Sequence, residues 1–183
     1  MKTTYERADI VPLLAEIFRT FGYEGTSLGR ITARTRIGKG SLYHFFPGGK
    51  EEMAAAVLAH VDDWFETQVY APLREDDASA AITAMWTNVE TYFRSGRRVC
   101  LVGAFALETT RDRFKPAISG YFERWIAALA SALARAGRSP DVARADAEEA
   151  VSGIQGAIVL SRALDDAAVF TRTVARLKER LGE

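Results

Sequence analysis

A chain of 183 residues, 48% of them hydrophobic, is long enough to bury a core and too apolar to be disordered. Its 24 Lys/Arg balance 24 Asp/Glu, and the single cysteine, Cys100, excludes an intrachain disulfide and suits a reducing, cytoplasmic setting. The longest apolar run, Val99–Leu107, falls well short of the ~20 residues of a membrane span, and MKTTYERAD lacks the apolar centre of a signal peptide.

The pattern is helical from end to end. Ile10, Leu13, Leu14, Ile17, Phe18 and Phe21 recur at helical spacing. They predict a first helix with Asp9 as N-cap, Pro12 in its first turn and Gly22 at its end. A competing capping box, Thr3 with Glu6, would put Pro12 in the helix interior. Ser27–Thr35 forms a short second helix, with Leu28 and Ile31 one turn apart. A third lies within Lys39–Phe46, its start bracketed by Gly38 and Gly40. Phe18 and Phe21 are expected to pack against Leu28, Ile31, Ile37, Leu42 and Phe45. Pro47-Gly48-Gly49 stops the third helix. The fourth runs from about Lys50 to Tyr70, with Met53, Val57, Val61, Trp64 and Phe65 on one face.

Pro72 and Glu75-Asp76-Asp77 break the chain. A fifth helix spans roughly Ser79–Arg94 and ends at Ser95-Gly96. Cys100–Glu108 reads as a short helix, since no partner strand exists for it. Another helix starts near Asp112 and ends at Gly137. Ser139-Pro140 is a strong start signal, an N-cap followed by proline at the first helical position, and that helix reaches about Leu164. The last covers Ala167–Leu181. The fold class is all-α with about nine helices, in an N-terminal part, 1–49, and a C-terminal part, 50–183.

Helices two and three form a helix-turn-helix pattern, in which the second helix enters the DNA major groove by its N-terminal residues. Gly40 and Ser41 are small enough to let the backbone approach base edges. Lys39 and His44 reach phosphates, and Tyr43 offers a flat ring and a hydroxyl. Lys50, at the start of helix four, sits where the helix dipole disfavours a cation, which makes sense if a phosphate docks beside it. From Gly25 to Lys50 there are five basic residues, Arg30, Arg34, Arg36, Lys39 and Lys50, and no acid. The first 50 residues hold eight Lys/Arg against four acids, and the remainder holds 16 against 20. A basic head on an acidic body is the footprint of a chain that puts one end on nucleic acid.

The run Phe18–Met53, FRTFGYEGTSLGRITARTRIGKGSLYHFFPGGKEEM, closely resembles the DNA-binding domain of TetR/AcrR-type repressors. Cys100–Glu108, CLVGAFALE, is similar to the LmrA/YxaF subgroup. Two positions depart from the pattern: Arg36 stands where the turn usually has glycine, and Thr35 replaces the small residue before it. A left-handed turn is easiest for glycine, so the expectation is either a slightly strained turn or a turn of another type, with an added phosphate contact from Arg36. The expected DNA-binding set is Thr26, Ser27, Arg36, Lys39, Gly40, Ser41, Tyr43, His44 and Lys50. The resemblance implies a ligand cavity among the C-terminal helices and a dimer joined through the last two. Met85, Trp86, Asn88, Phe105, Trp125 and Gln155 are the ligand candidates. Ala150, Gly153, Ala157, Val169, Phe170, Val174 and Leu177 are the dimer candidates.

No catalytic constellation stands out. Glu148-Glu149 and Asp165-Asp166 are adjacent pairs, which diverge on a helix. His60 has no second ligand at metal spacing. Cys100 lies in an apolar run, as a buried thiol would, although Arg97 and Arg98 supply the charge a thiol sensor needs. No enzyme activity, metal or cofactor is expected. The sequence therefore predicts a homodimeric repressor, released from a near-palindromic DNA operator by a small, largely apolar inducer. The alternatives are an all-α small-molecule binder or enzyme with a vestigial DNA head, and a regulator that senses a partner protein.

Overall fold

The computed structural model describes residues 6–75 and 77–181. Among them every regular element is helical, and nine helices follow one another. They are α1 (Arg7–Gly25), α2 (Leu28–Thr35), α3 (Lys39–Phe45), α4, α5 (Ala78–Tyr92), α6 (Leu101–Ala106), α7 (Lys115–Arg135), α8 (Pro140–Ala163) and α9 (Ala168–Leu181). The rod α4 starts as Gly49–Phe65, passes through a π-helical turn at Glu66–Tyr70 and ends as Ala71–Glu75. A 3-10 turn, Thr109–Phe114, leads into α7. The all-α fold, with an N-terminal helix-turn-helix and a helical C-terminal part, is as the sequence predicts.

The helices group into two compact units. The first takes the described residues up to Asp62 together with Leu101–Ile118, and the second takes Asp63–Cys100 and the chain from Ser119 onward. A division after Gly49 therefore cuts through the first unit. The sequence shows where helices end, but not which of them pack together.

In the first unit α1 packs on α2 and α6. Its start lies earlier than Asp9. Glu6 is the N-cap, and Asp9 occupies the third helical position, where its carboxylate accepts the Glu6 N–H at 2.9 Å. Pro12 is consequently inside the helix on its exposed face, and the competing Thr3 lies outside the described residues. Ile10, Leu14, Phe18, Ile31, Leu42, Phe46, Met53 and Val57 form the buried core. Phe46, not Phe45, is the buried one of the pair, with the Arg7 guanidinium 4.8 Å from its ring centroid. Phe21 is half-buried under the guanidiniums of Arg30 and Arg34, at 4.7 and 5.2 Å.

The second unit is built around Phe65. Its ring meets those of Trp64, Tyr92, Tyr121 and Trp125 at centroid distances of 4.8–5.1 Å. Of these, Phe65, Tyr121 and Trp125 are fully buried, each worth roughly 1.5–3 kcal/mol of transfer free energy. Within this cluster the Tyr70 hydroxyl donates to the Tyr121 carbonyl at 2.9 Å. Helices α8 and α9 form a hairpin, and Leu177 of α9 seats on Gly153 of α8, where a Cβ would stand 3.0 Å from it. Gly96, at φ 87, leaves room for Phe170, whose N–H donates to the Ser161 hydroxyl at 3.1 Å.

Candidate nucleic-acid interface

Three residues shape α2 and the turn that follows it. Ser27 caps α2 and its hydroxyl accepts the Arg30 N–H at 3.2 Å. Arg36 closes α2 in the left-handed conformation, φ 58 and ψ 18, as glycine would. Thr35 compensates from the buried side: its hydroxyl donates to the Ile31 carbonyl at 2.8 Å and accepts the Ile37 N–H at 3.2 Å. Helix α3 then buries Leu42 and leaves Lys39, Gly40, Ser41, Tyr43 and His44 exposed. Nothing lies within 4 Å of a Cβ built on Gly38 or Gly40, so this end of α3 is open to an approaching surface. Arg36 is exposed on the turn beside it. Thr26 is buried and its hydroxyl donates to the Gly22 carbonyl at 2.6 Å, which makes it a brace of the α1–α2 connection.

Lys50 has a partner inside the protein. Its ammonium donates to the Tyr23 carbonyl at 3.0 Å and lies 4.2 Å above the Tyr23 ring centroid. That accounts for a lysine at the positive end of a helix without invoking a phosphate, and two N–H bonds of the ammonium remain. Tyr23 itself is buried against Phe18, Phe105 and Phe114, with centroids 5.3–6.1 Å away. Its hydroxyl accepts from Arg113 at 3.2 Å, and Arg113 also pairs with Glu51 at 3.1 Å. Sequence reasoning missed this centre. Its signals were present: Gly22-Tyr23 near the end of an amphipathic helix, and Glu108 closing an apolar run.

The ligand candidates divide. Met85, Trp86, Trp125 and Gln155 lie in the second unit, the first three fully buried and Gln155 half-buried. Asn88 is there too, but its amide donates to the Gln68 carbonyl at 2.8 Å, in the π-helical turn of α4. Phe105 belongs to the first unit, in the Tyr23 cluster. The dimer candidates divide as well. Ala150, Ala157, Phe170, Val174 and Leu177 are buried within the single chain, and only Gly153 and Val169 are part-exposed. Cys100 is buried, and the thiol neighbours the Tyr121 phenol. Burial above all, then the neighbouring Cys100, Tyr70 and Tyr92, pushes that phenol well above its ordinary pKa. Among the described residues no group of three His, Cys, Asp or Glu side chains is placed to hold a metal.

Two family models match the chain. One, for bacterial regulatory proteins of the TetR family, covers residues 13–57. The other, for the C-terminal domain of LmrA/YxaF-like transcriptional regulators, covers residues 78–176, more than half of the chain. The chain belongs to the TetR family, in its LmrA/YxaF-like group. This TetR-family chain is 29% identical over 160 residues to the HTH-type transcriptional regulator YxaF of Bacillus subtilis, covering 85% of this chain and 84% of that one. It is 26% identical to the regulator LmrA of the same organism, over 85% of each chain. A TetR regulator from Legionella pneumophila shares the fold at a TM-score of 0.81 and 19% identity, over 98% and 99% of the two chains. A TetR protein from Rhodobacter sphaeroides matches at 0.73 and 25%, over 92% and 96%. The TetR-family chain is a DNA-binding transcriptional regulator and not an enzyme, and no helix among its described residues is long and apolar enough to cross a membrane.

Proposed function

We propose that this TetR-family regulator is a cytoplasmic homodimeric repressor, released from a near-palindromic operator by a small, largely apolar inducer. Lys39, Gly40, Ser41, Tyr43 and His44 meet base edges and phosphates in the major groove. Arg36, Ser27 and Lys50 add backbone contacts at the margin. One helix-turn-helix makes few base contacts, so two copies read half-sites ~34–36 Å apart.

Three orphaned donors carry the ligand reading. Trp86 Nε1, Trp125 Nε1 and Gln155 Nε2 are buried, and no acceptor among the described residues meets them. An unpaired buried N–H costs about 1–3 kcal/mol, so such groups call for an explanation. An inducer with acceptor atoms on an apolar body would satisfy them. Helix α4 supplies residues to both units, which makes it the element through which inducer reaches DNA. A coupling of ~3 kcal/mol would cut DNA affinity about 150-fold.

Trp86→Phe tests this reading. It keeps a six-membered aromatic ring in the core and removes the orphaned N–H together with the rest of the pyrrole ring, so its fold is checked by thermal melting beside the parent. The variant should bind operator like the parent in a gel shift and lose most of its response to inducers found by screening that shift. A variant that responds like the parent would place Trp86 in plain core.

A further inference from the structure

Glu108 has a task that its place in the sequence does not suggest. It stands just before the 3-10 turn, within Leu101–Ile118, the C-terminal segment that belongs to the first unit. Its carboxylate oxygens accept the Tyr23 N–H, each at 3.0 Å, and one also accepts the Glu24 N–H at 3.3 Å. The Thr110 hydroxyl lies 3.5 Å from the same oxygen. These bonds fall where α1 breaks. Gly22 has φ 67 and ψ 179, a conformation essentially reserved for glycine, and a Cβ there would collide with the Glu108 carboxylate. A broken helix leaves N–H groups without their carbonyl partners, and Glu108 provides the missing acceptors.

The bend sets the direction of the chain beyond Gly22. From it the chain reaches the cap of α2 in a few residues, with the Thr26 hydroxyl returning to the Gly22 carbonyl and Ser27 capping Arg30. The next helix after the turn is α3. Lys50, at the start of α4, rests on the carbonyl and ring of the same Tyr23. Both ends of the helix-turn-helix are therefore referred to one residue, and Glu108 holds its backbone.

We infer that Glu108 is a positioning residue for DNA binding: its carboxylate fixes the α1 break at Gly22-Tyr23 and so sets the orientation of α2 and α3. The regulator's C-terminal half, to which Glu108 belongs in sequence, thereby contributes a residue to the operator-reading geometry without touching DNA.

The experiment uses full-length Glu108→Gln and Glu108→Ala with an operator selected from a random duplex pool by the parent protein. Glu108→Gln keeps the shape but replaces one acceptor by a donor, so it carries the test if Glu108→Ala does not fold. A control variant, Val151→Ala in the second unit, reproduces a stability loss without touching the break. Operator affinity should fall about tenfold for Glu108→Ala and several-fold for Glu108→Gln, with the salt slope unchanged because no phosphate contact is lost. The amides of Tyr23 and Glu24 should exchange hydrogen faster in both. Unchanged operator affinity in a folded Glu108→Gln overturns the inference. So does an equal loss in Val151→Ala, which would reduce Glu108 to a stability element, or unchanged exchange at Tyr23 and Glu24.

Discussion

Arg36 places stability and function in opposition at one position. It holds φ 58 at the end of α2, where a residue with a Cβ costs roughly 1 kcal/mol more than glycine. Thr35 offsets part of that by bonding both Ile31 and Ile37. The guanidinium is exposed beside the open end of α3, the right place for a phosphate. Arg36→Gly should therefore raise the melting temperature by about 2–4 °C. It should also weaken DNA binding to all sequences alike and lower the salt slope by about one. A salt titration of binding, run beside thermal melts, separates the two effects. Lower stability would mean that the turn depends on Arg36 in another way, and an unchanged slope would remove the phosphate contact.

At the scale of elements, α8 presents two different faces. One is buried and carries Ala150, Ile154, Ala157 and Ile158. The other is open, with Val159 59%, Leu160 51% and Leu164 64% exposed, and Gly156 has nothing within 4 Å of a built Cβ. Ser152 and Ala163 extend that stripe along the helix. Apolar groups in a row on a water-facing helix suit contact with a second copy. Leu160→Arg should therefore keep its helicity and melting behaviour while sedimenting as a monomer at low micromolar concentration. Phe170→Asp should behave differently. Phe170 is 0% exposed and seated on Gly96, so a carboxylate there is buried without a partner and should destabilise the fold by about 4 kcal/mol or more. A Leu160→Arg protein that remains dimeric would move the interface off this stripe.

For the whole molecule, the path of the chain decides cooperativity. It leaves the first unit after Asp62, returns at Leu101 and leaves again after Ile118. Phe18 and Tyr23 bury their rings against Phe105 and Phe114, which lie more than eighty residues further along. Removing those two rings strips the head of several kcal/mol of burial, at roughly 1.5–3 kcal/mol each. A fragment ending at Asp62 should thus show little helical circular dichroism and no DNA binding, although it contains the entire helix-turn-helix. A fully helical, DNA-binding fragment would show the head to be autonomous.

The helices, the helix-turn-helix and the family were legible in the order of the amino acids, because these rest on local signals. Helical spacing of apolar residues, Ser139-Pro140 at a start and the run from Phe18 to Met53 are all readable within a few turns. At Arg36 the missing glycine marked the position of the turn, and the fold showed that it keeps the left-handed conformation. Which residues each helix buries against which emerged from the packing alone. Phe46 rather than Phe45 faces the core, Asn88 is committed to Gln68, and Phe105 joins Tyr23. The dimer candidates meet the same limit: apolar periodicity marks a face to be buried, but not whether its cover is α9 or another copy. Glu108 is the clearest case. An acid closing an apolar run looks like ordinary surface until the fold brings it to the broken end of α1, where two backbone N–H groups need an acceptor.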